Sequence, residues 1–478
     1  MSYTKRIEKV QHIPRTETSI PWNAADRQLV PIDLKRYGYE EEEYFFSGKA
    51  NVYTLNKDHA EIKFEDASYT NRFLVRKPVD MKKFSGNVII ELINPTNGWD
   101  VVPMWCQVWP SIIQDGDVYV GITIREGCIA SLKKYNAERY GALDWSNPNP
   151  EPGEISKQIL MWQHCSKETE YGLFWDMLTQ LGYYFKEKDC EELLGAPIDQ
   201  VYAMGCSQSG MYLSTYFNVF HETDRVSPIE PPFDGYLSYT GSMMVPLNQE
   251  EAPPAPTDPI QVTKNVPVPV IRIMSQWDFR DFAGHISHRR PDSDEIGDRF
   301  RLYEVASHAH NTLVGCLYRP GHEEIAAIEK TTGFPATDFA PLPLEAVMRQ
   351  TLRNLYAWGK DNIAPPHAPA FIETDEAGYA AVDQYGNCKG GLRLPQLTVP
   401  VASYYSGTKS NDQDSCYIPF SKEVLKELYP THTDYVNAMF KAIDDMLDKN
   451  FISVWDADQM KLMAVMTPVP ELDQNAAL

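Results

Sequence analysis

The sequence predicts an α/β fold: a mostly parallel central sheet flanked by helices, with an N-terminal β extension and a C-terminal helical extension. Three observations carry this. Asn87–Ile93 and Val118–Ile124 are nearly continuous apolar runs, the character of strands buried on both faces, as parallel strands are. Strand and helix patterns then alternate through the middle of the chain. Finally, Gly205-Cys206-Ser207-Gln208-Ser209-Gly210 lies between the apolar run Val201-Tyr202-Ala203-Met204 and a helical stretch from Met211 to Phe220.

Residues 1–83 form an arm and the β extension. The first 40 are polar and irregular, and Pro14, Pro21 and Pro31 break any helix there. From Tyr44 to Leu55 and from Asn71 to Val75, aromatic and β-branched residues alternate with polar ones, the period of half-buried antiparallel strands. Residues 84–365 form the core. After its two apolar strands, with the Pro103–Gln114 segment between them, come a helix over Glu154–Phe185 and the strand leading into Ser207. Further strands follow at Phe233–Tyr239, Val268–Met274 and Arg299–Val305, with the prolines of Glu250–Ile260 marking a surface crossing. Leu344, Val347, Met348, Leu352 and Leu355 share one helical face, closed by Gly359 and Pro365-Pro366. Residues 366–478 form the C-terminal extension: an irregular, β-tinged stretch, then helix through most of Ser421–Leu462, including one beginning near Thr433. The three parts read as a single unit, 1–478.

Composition excludes several classes. With 44 basic and 66 acidic residues the net charge is −22, which argues against nucleic acid or an anionic membrane as the main partner. No stretch approaches the roughly 18 apolar residues that span a bilayer. The N-terminus lacks the apolar core of a secretory signal, so the expected location is cytoplasmic. Eight cysteines without CxxC pairs fit reduced thiols, and no zinc motif is present.

The hexamer has the form of a nucleophile elbow, a sharp strand-to-helix turn that tolerates only small residues two positions either side of the nucleophile. Sterics rank the frames. Ser207 is flanked by Gly205 and Ser209, Ser209 would face the bulky Met211, and Cys206 would be flanked by Met204 and Gln208. In α/β-hydrolases the nucleophile is followed in chain order by an acid and a histidine. Asp278 lies just past the strand Val268–Met274, with Asp281 and Asp292 as rivals, and the next strand runs into His308 and His310. His-x-His with His285 and His288 upstream matches no metal motif, so no metal is expected. For an oxyanion hole, the backbone N–H of Gln208 is one donor. The loop Asn94–Trp99 supplies the second; Pro95 has no N–H, which favours Thr96 and keeps Asn97 in reserve.

Together these residues resemble the alpha/beta hydrolase domain protein family, whose elbow reads Gly-x-Ser-Gln-Ser. The likeness runs from about Gly38 to Met463 and includes Ile89-Ile90-Glu91-Leu92-Ile93-Asn94, Arg139-Tyr140-Gly141, Phe233-Asp234-Gly235 and Gln276-Trp277-Asp278. It continues through Arg290-Pro291-Asp292-Ser293-Asp294, Arg299–Ala306 and Tyr429-Pro430-Thr431-His432. The resemblance implies an α/β-hydrolase fold, places the acid at Asp278, and selects His310 through the family's Ala-His at Ala309-His310. Cys206 and Gly210-Met211 depart from the usual pattern, which bears on substrate shape. The expected activity is hydrolysis of a small-molecule carboxylic ester through an acyl-enzyme, with no cofactor. Acyl transfer, lactone opening and amide cleavage would use the same residues, and a non-catalytic binding protein is the rival from another class. Asn97, Trp99 and Trp277 are pocket candidates; Trp105, Trp109 and Trp145 lie near the same loops. The sequence predicts no oligomeric state.

Overall fold

The computed structural model describes residues 6–156, 165–186, 190–220, 231–241, 243–278, 289–331, 339–406 and 415–471. The chain divides into two compact units. The first comprises Met1–Val270, Asp294–Arg299 and Leu317–Gly333; the second comprises Ile271–Ser293, Phe300–Cys316 and Phe334–Leu478.

The first unit is built on strands in the order β1-β2-β3-β5-β4-β6-β7. These are β1 (Ile7–Ile13), β2 (Tyr39–Asn56), β3 (His59–Pro78), β4 (Asn87–Ile93), β5 (Val118–Thr123), β6 (Gln200–Cys206) and β7 (Gly235–Tyr239). The β2–β3 pair is the alternating pattern of the N-terminal extension, antiparallel with Tyr44 opposite Phe73 and their rings stacked at 5.4 Å. β3 joins β5 antiparallel, and β4 then pairs in parallel with both β5 and β6, and β6 with β7. β4 and β5 hold the continuous apolar runs and are buried almost throughout.

β1 corrects the expectation of an irregular first 40 residues. It pairs antiparallel with β2, but Ile7, Val10 and Ile13 are its half-buried positions, three residues apart, and the register slips between Ile7 and Lys9. That irregularity erases the period-2 signal by which a strand is recognised.

Among the described residues the longer helices of this unit are α1 (Pro103–Asp115), α2 (Glu126–Tyr135), α3 (Phe174–Lys186) and α4 (Gln208–Val219). α1 ends at Gly116, at φ 80°, where an added Cβ would fall 2.1 Å from the Lys83 carbonyl. Its start is pinned by Glu91 of β4, which accepts the N–H groups of Met104 and Trp105 at 2.9 and 2.8 Å and the Tyr119 hydroxyl at 2.8 Å. Burial, partly offset by those donors, pushes the Glu91 carboxyl up to about 7.

Of the helix expected over Glu154–Phe185, residues 157–164 lie outside the described residues; among those described, α-helix covers Phe174–Phe185 and follows a 3-10 turn at Tyr171–Leu173. Side chains take the backbone donors just before it: Ser166 Oγ accepts from the Glu168 N–H at 3.2 Å and the Glu170 carboxylate from the Gly172 N–H at 2.8 Å. Such local bonds compete with helix.

The second unit carries β8 (Val270–Ser275), from Ile271 onward, and β9 (Phe300–Val305), neighbours in strand order and fully buried. It adds α5 (Leu344–Asp361), an antiparallel pair of β10 (Ala402–Tyr405) and β11 (Cys416–Pro419), then α6 (Lys422–Leu428), α7 (His432–Asp448) and α8 (Val454–Met466). α5 runs through Gly359 and stops at Asn362, whose φ of 56° supplies the left-handed cap expected of the glycine. A reciprocal capping box between Thr431 and Asp434 sets the start of α7. The buried pair Arg349–Asp456 ties α5 to α8.

Candidate active site

β6 passes into α4 through Ser207, whose backbone stands at φ 57° and ψ −123°. A non-glycine residue held there is strained, and the surrounding structure must impose it. Close approach dictates the glycines beside it: a Cβ on Gly205 would lie 2.6 Å from the Ser209 carbonyl oxygen, and one on Gly210 would lie 2.9 Å from the Tyr239 carbonyl oxygen. Ser209 is fully buried. Its Oγ donates to the Cys206 carbonyl and accepts from the Cys206 N–H, both at 2.9 Å, so the off-pattern serine braces the turn from inside.

Sheet register places the neighbours of this turn. β4 and β6 run with Leu92 opposite Gly205, so two residues further on Asn94 stands level with Ser207. β6 and β7 run with Cys206 opposite Tyr239, which sets Thr240 level with Ser207 on the other side. Thr240 is also left-handed, at φ 53°, a conformation a β-branched residue seldom adopts. The Ser207 N–H donates to the Tyr239 carbonyl at 2.9 Å and to Thr240 Oγ1 at 3.1 Å.

Asn94 opens the loop expected to carry an oxyanion donor. Asn94 and Val101 exchange backbone bonds at 2.8 and 3.0 Å, the Gly98 N–H closes onto the Pro95 carbonyl at 2.9 Å, and Ser131 of α2 donates to the Gly98 carbonyl at 2.7 Å. The Asn94 side chain works in two directions: Nδ2 donates to the Cys206 carbonyl at 2.7 Å, and Oδ1 accepts from the Thr96 N–H at 2.9 Å. The Thr96 N–H is thus engaged inside its own turn. Asn97 is exposed, and among the described residues its N–H has no hydrogen-bond partner. Gln208 begins α4, and its buried side-chain oxygen likewise lacks a partner among the described residues.

In the second unit, Asp278 and His310 meet. Asp278 is fully buried just past β8, and its Oδ1 lies 2.7 Å from His310 Nδ1. Its Oδ2 accepts from Ser275 Oγ at 2.5 Å, while the Asp278 N–H donates to the same Ser275 Oγ at 3.1 Å. Burial alone would lower the His310 pKa; the charge and hydrogen bond of Asp278 outweigh it and raise it. His308 differs. It is buried with Nδ1 2.9 Å from the Ala309 carbonyl, and burial pushes its pKa down. Of the rival acids, Asp292 accepts from the Leu302 N–H at 3.1 Å and faces His367 at 3.1 Å. Asp281, His285 and His288 lie outside the described residues, and among those described no three His, Cys, Asp or Glu side chains gather as a metal site.

The tryptophans separate. Trp105 is buried beneath the Arg76 guanidinium at 4.2 Å, Trp109 packs edge-on against Tyr37 and Tyr318, and Trp145 is buried. Trp99 is half-buried after the Asn94 turn, and Trp277 meets the His310 ring edge-on at 5.3 Å. The contacts of Asn94, Thr240 and Ser275 were not foreseen from sequence. Only the register of β4, β6 and β7 would have revealed the first two.

A strand-to-helix elbow after a parallel strand, with an acid and a histidine after later strands, is the architecture of an α/β-hydrolase. The chain belongs to the family described as "Alpha/beta hydrolase domain", whose model matches residues 8–462. No curated protein sequence is matched by the chain. Among solved structures it is similar to a thermostable esterase from Pseudomonas putida ECU1011, at 12% identity over 67% of this chain and 83% of that one, with a TM-score of 0.32. Est1E from Butyrivibrio proteoclasticus is 7% identical over 64% and 99%, TM-score 0.30. The siderophore hydrolase EstA from Aspergillus nidulans is 11% identical over 50% and 72%, TM-score 0.24. No helix among the described residues is long and apolar enough to cross a membrane.

Proposed function

We propose that the protein is a serine hydrolase that cleaves a small-molecule carboxylic ester through an acyl-enzyme. Ser207 is the nucleophile, His310 the general base and then acid, and Asp278 the group that orients His310 and stabilises its cation. The carrying observation is the strained, fully braced backbone of Ser207 at the start of α4. Strain of this kind persists only where the surroundings enforce it, and it exposes an Oγ at the helix N-terminus beside the Gln208 N–H.

The reaction follows from the groups. Ser207 Oγ attacks the ester carbonyl carbon as its proton passes to His310 Nε2, the ring nitrogen opposite the one that faces Asp278. The carbonyl oxygen becomes an oxyanion, received by the Gln208 N–H and by a second donor from the Asn94–Trp99 turn. Thr96 would have to surrender its bond to Asn94 Oδ1, whereas the Asn97 N–H has no such bond to break among the described residues. Collapse of the tetrahedral intermediate breaks the bond to the alkoxy oxygen, which leaves as the alcohol with the proton from His310. Water then repeats the sequence in reverse roles and frees the acid. Asn97, Trp99 and Trp277 are proposed to line the pocket.

The test is covalent labelling with a fluorophosphonate. The wild-type chain should take up one equivalent and Ser207→Ala none. Absence of uptake, or equal uptake by Ser207→Ala, would remove Ser207 from the role.

A further inference from the structure

We propose that Asn94 is a positioning residue that locks the oxyanion loop to the nucleophile elbow through the Cys206 carbonyl; this rests on the reading of Ser207 as nucleophile. The two parts of an oxyanion hole come from segments far apart in the chain, the turn after β4 and the start of α4. Their separation must be held to within a fraction of an ångström, because a misplacement of about 1 Å costs roughly 10²-fold in rate. Side-chain contact across a strand pair is the most direct way to hold it. Asn94, level with Ser207 in the β4–β6 register, makes that contact.

The geometry is specific to a carboxamide. Nδ2 is the donor to the Cys206 carbonyl, and Oδ1 is the acceptor for the Thr96 N–H. One planar group therefore fixes both the residue before the nucleophile and the turn that presents the second donor. The Cys206 carbonyl has two lone pairs, and Ser209 Oγ takes the other. Asn94 is 7% and Cys206 6% exposed, so the bond between them lies out of ready reach of water. Engagement of Thr96 by Oδ1 also leaves the next N–H, that of Asn97, to face the substrate oxygen.

Asn94→Asp and Asn94→Ala test this, read as kcat, KM, the fluorophosphonate labelling rate and the melting temperature. Aspartate keeps an acceptor for the Thr96 N–H but sets a carboxylate oxygen against the Cys206 carbonyl; alanine removes both bonds. Both variants should lose about 10²-fold in kcat with KM changed by less than about threefold, and label more slowly in the same proportion, in chains that still melt cooperatively. A kcat for Asn94→Asp near that of the wild type would overturn the link to Cys206, and a near-normal kcat for Asn94→Ala would overturn the positioning role altogether. Should Asn94→Ala fail to fold, the near-isosteric Asn94→Asp decides alone. A wild-type chain that takes up no probe is a different result, for it removes the hydrolase reading itself.

Discussion

The left-handed, non-glycine residues that follow β6 and β9 are held in opposite ways. Ser207 follows β6 at φ 57° and Ser307 follows β9 at φ 55°, three residues before His310. The first is gripped by its immediate sheet neighbours, Asn94 and Thr240, and by Ser209 two residues on. The second is gripped by distant chain. The Ser307 N–H donates to Gln276 Oε1 at 2.9 Å, and Ser307 Oγ accepts from the Cys388 N–H at 3.0 Å. The Ala309 N–H donates to Ser415 Oγ at 2.8 Å, and the Ala306 N–H to the Leu392 carbonyl at 3.0 Å. The elbow is thus a property of the sheet, while the histidine loop depends on the C-terminal extension. That gives the 366–478 region, beyond packing, the task of holding the loop that carries His310.

The largest expected effect separates the two histidines of that loop. His310→Ala should reduce ester turnover by about 10⁴-fold or more, the cost of losing a triad base. His308→Ala removes a side chain whose ring nitrogen bonds only backbone, so it should lower the melting temperature and keep most of the kcat of the folded protein. Steady-state kinetics on both, beside thermal melts, decide it; reversal of the two results would exchange their roles.

A smaller effect tests the comparison itself. Ser415→Ala leaves the buried Ala309 N–H without its partner, a loss of about 1–3 kcal/mol, and should lower kcat roughly tenfold by loosening the His310 loop. Thr240→Val, nearly isosteric, takes one acceptor from the Ser207 N–H, which keeps its bond to the Tyr239 carbonyl. Its kcat should fall only about threefold, since one of two shared bonds remains. If Thr240→Val proves the costlier change, the elbow is the weaker structure of the two.

This contrast explains what could be read from the sequence. β4, β5 and β6 were legible because a strand buried on both faces is apolar at nearly every position, and the sharp turn at Ser207 because small residues flank it. β1 was not, its period broken by a register slip, nor was the true start of α3, where side chains take the backbone donors. Asn94, Thr240 and Ser415 were invisible for another reason. Each acts on a residue tens to more than a hundred positions away, through strand register or through the return of the C-terminal extension, and no local pattern encodes such a pairing.

The smallest effect on turnover concerns Glu91, which anchors α1 to the strand that leads into Asn94. Its carboxyl ionises near 4.5 when unfolded and at about 7 in the folded chain, because burial disfavours the anion more than its three donors favour it. Between those values the folded state binds the proton more tightly than the unfolded state, so stability falls as pH rises from about 4.5 to about 7, by on the order of 3 kcal/mol in full. Glu91→Gln has no such proton to lose. It should be less stable than wild type in acid, where its amide mismatches one of the N–H donors, and the gap should narrow or reverse above pH 7 while kcat stays within a few-fold. Denaturant melts of both chains from pH 5 to 8 give the slope. Parallel curves for the two chains would show that Glu91 is already ionised in the fold and that α1 is held by a carboxylate throughout.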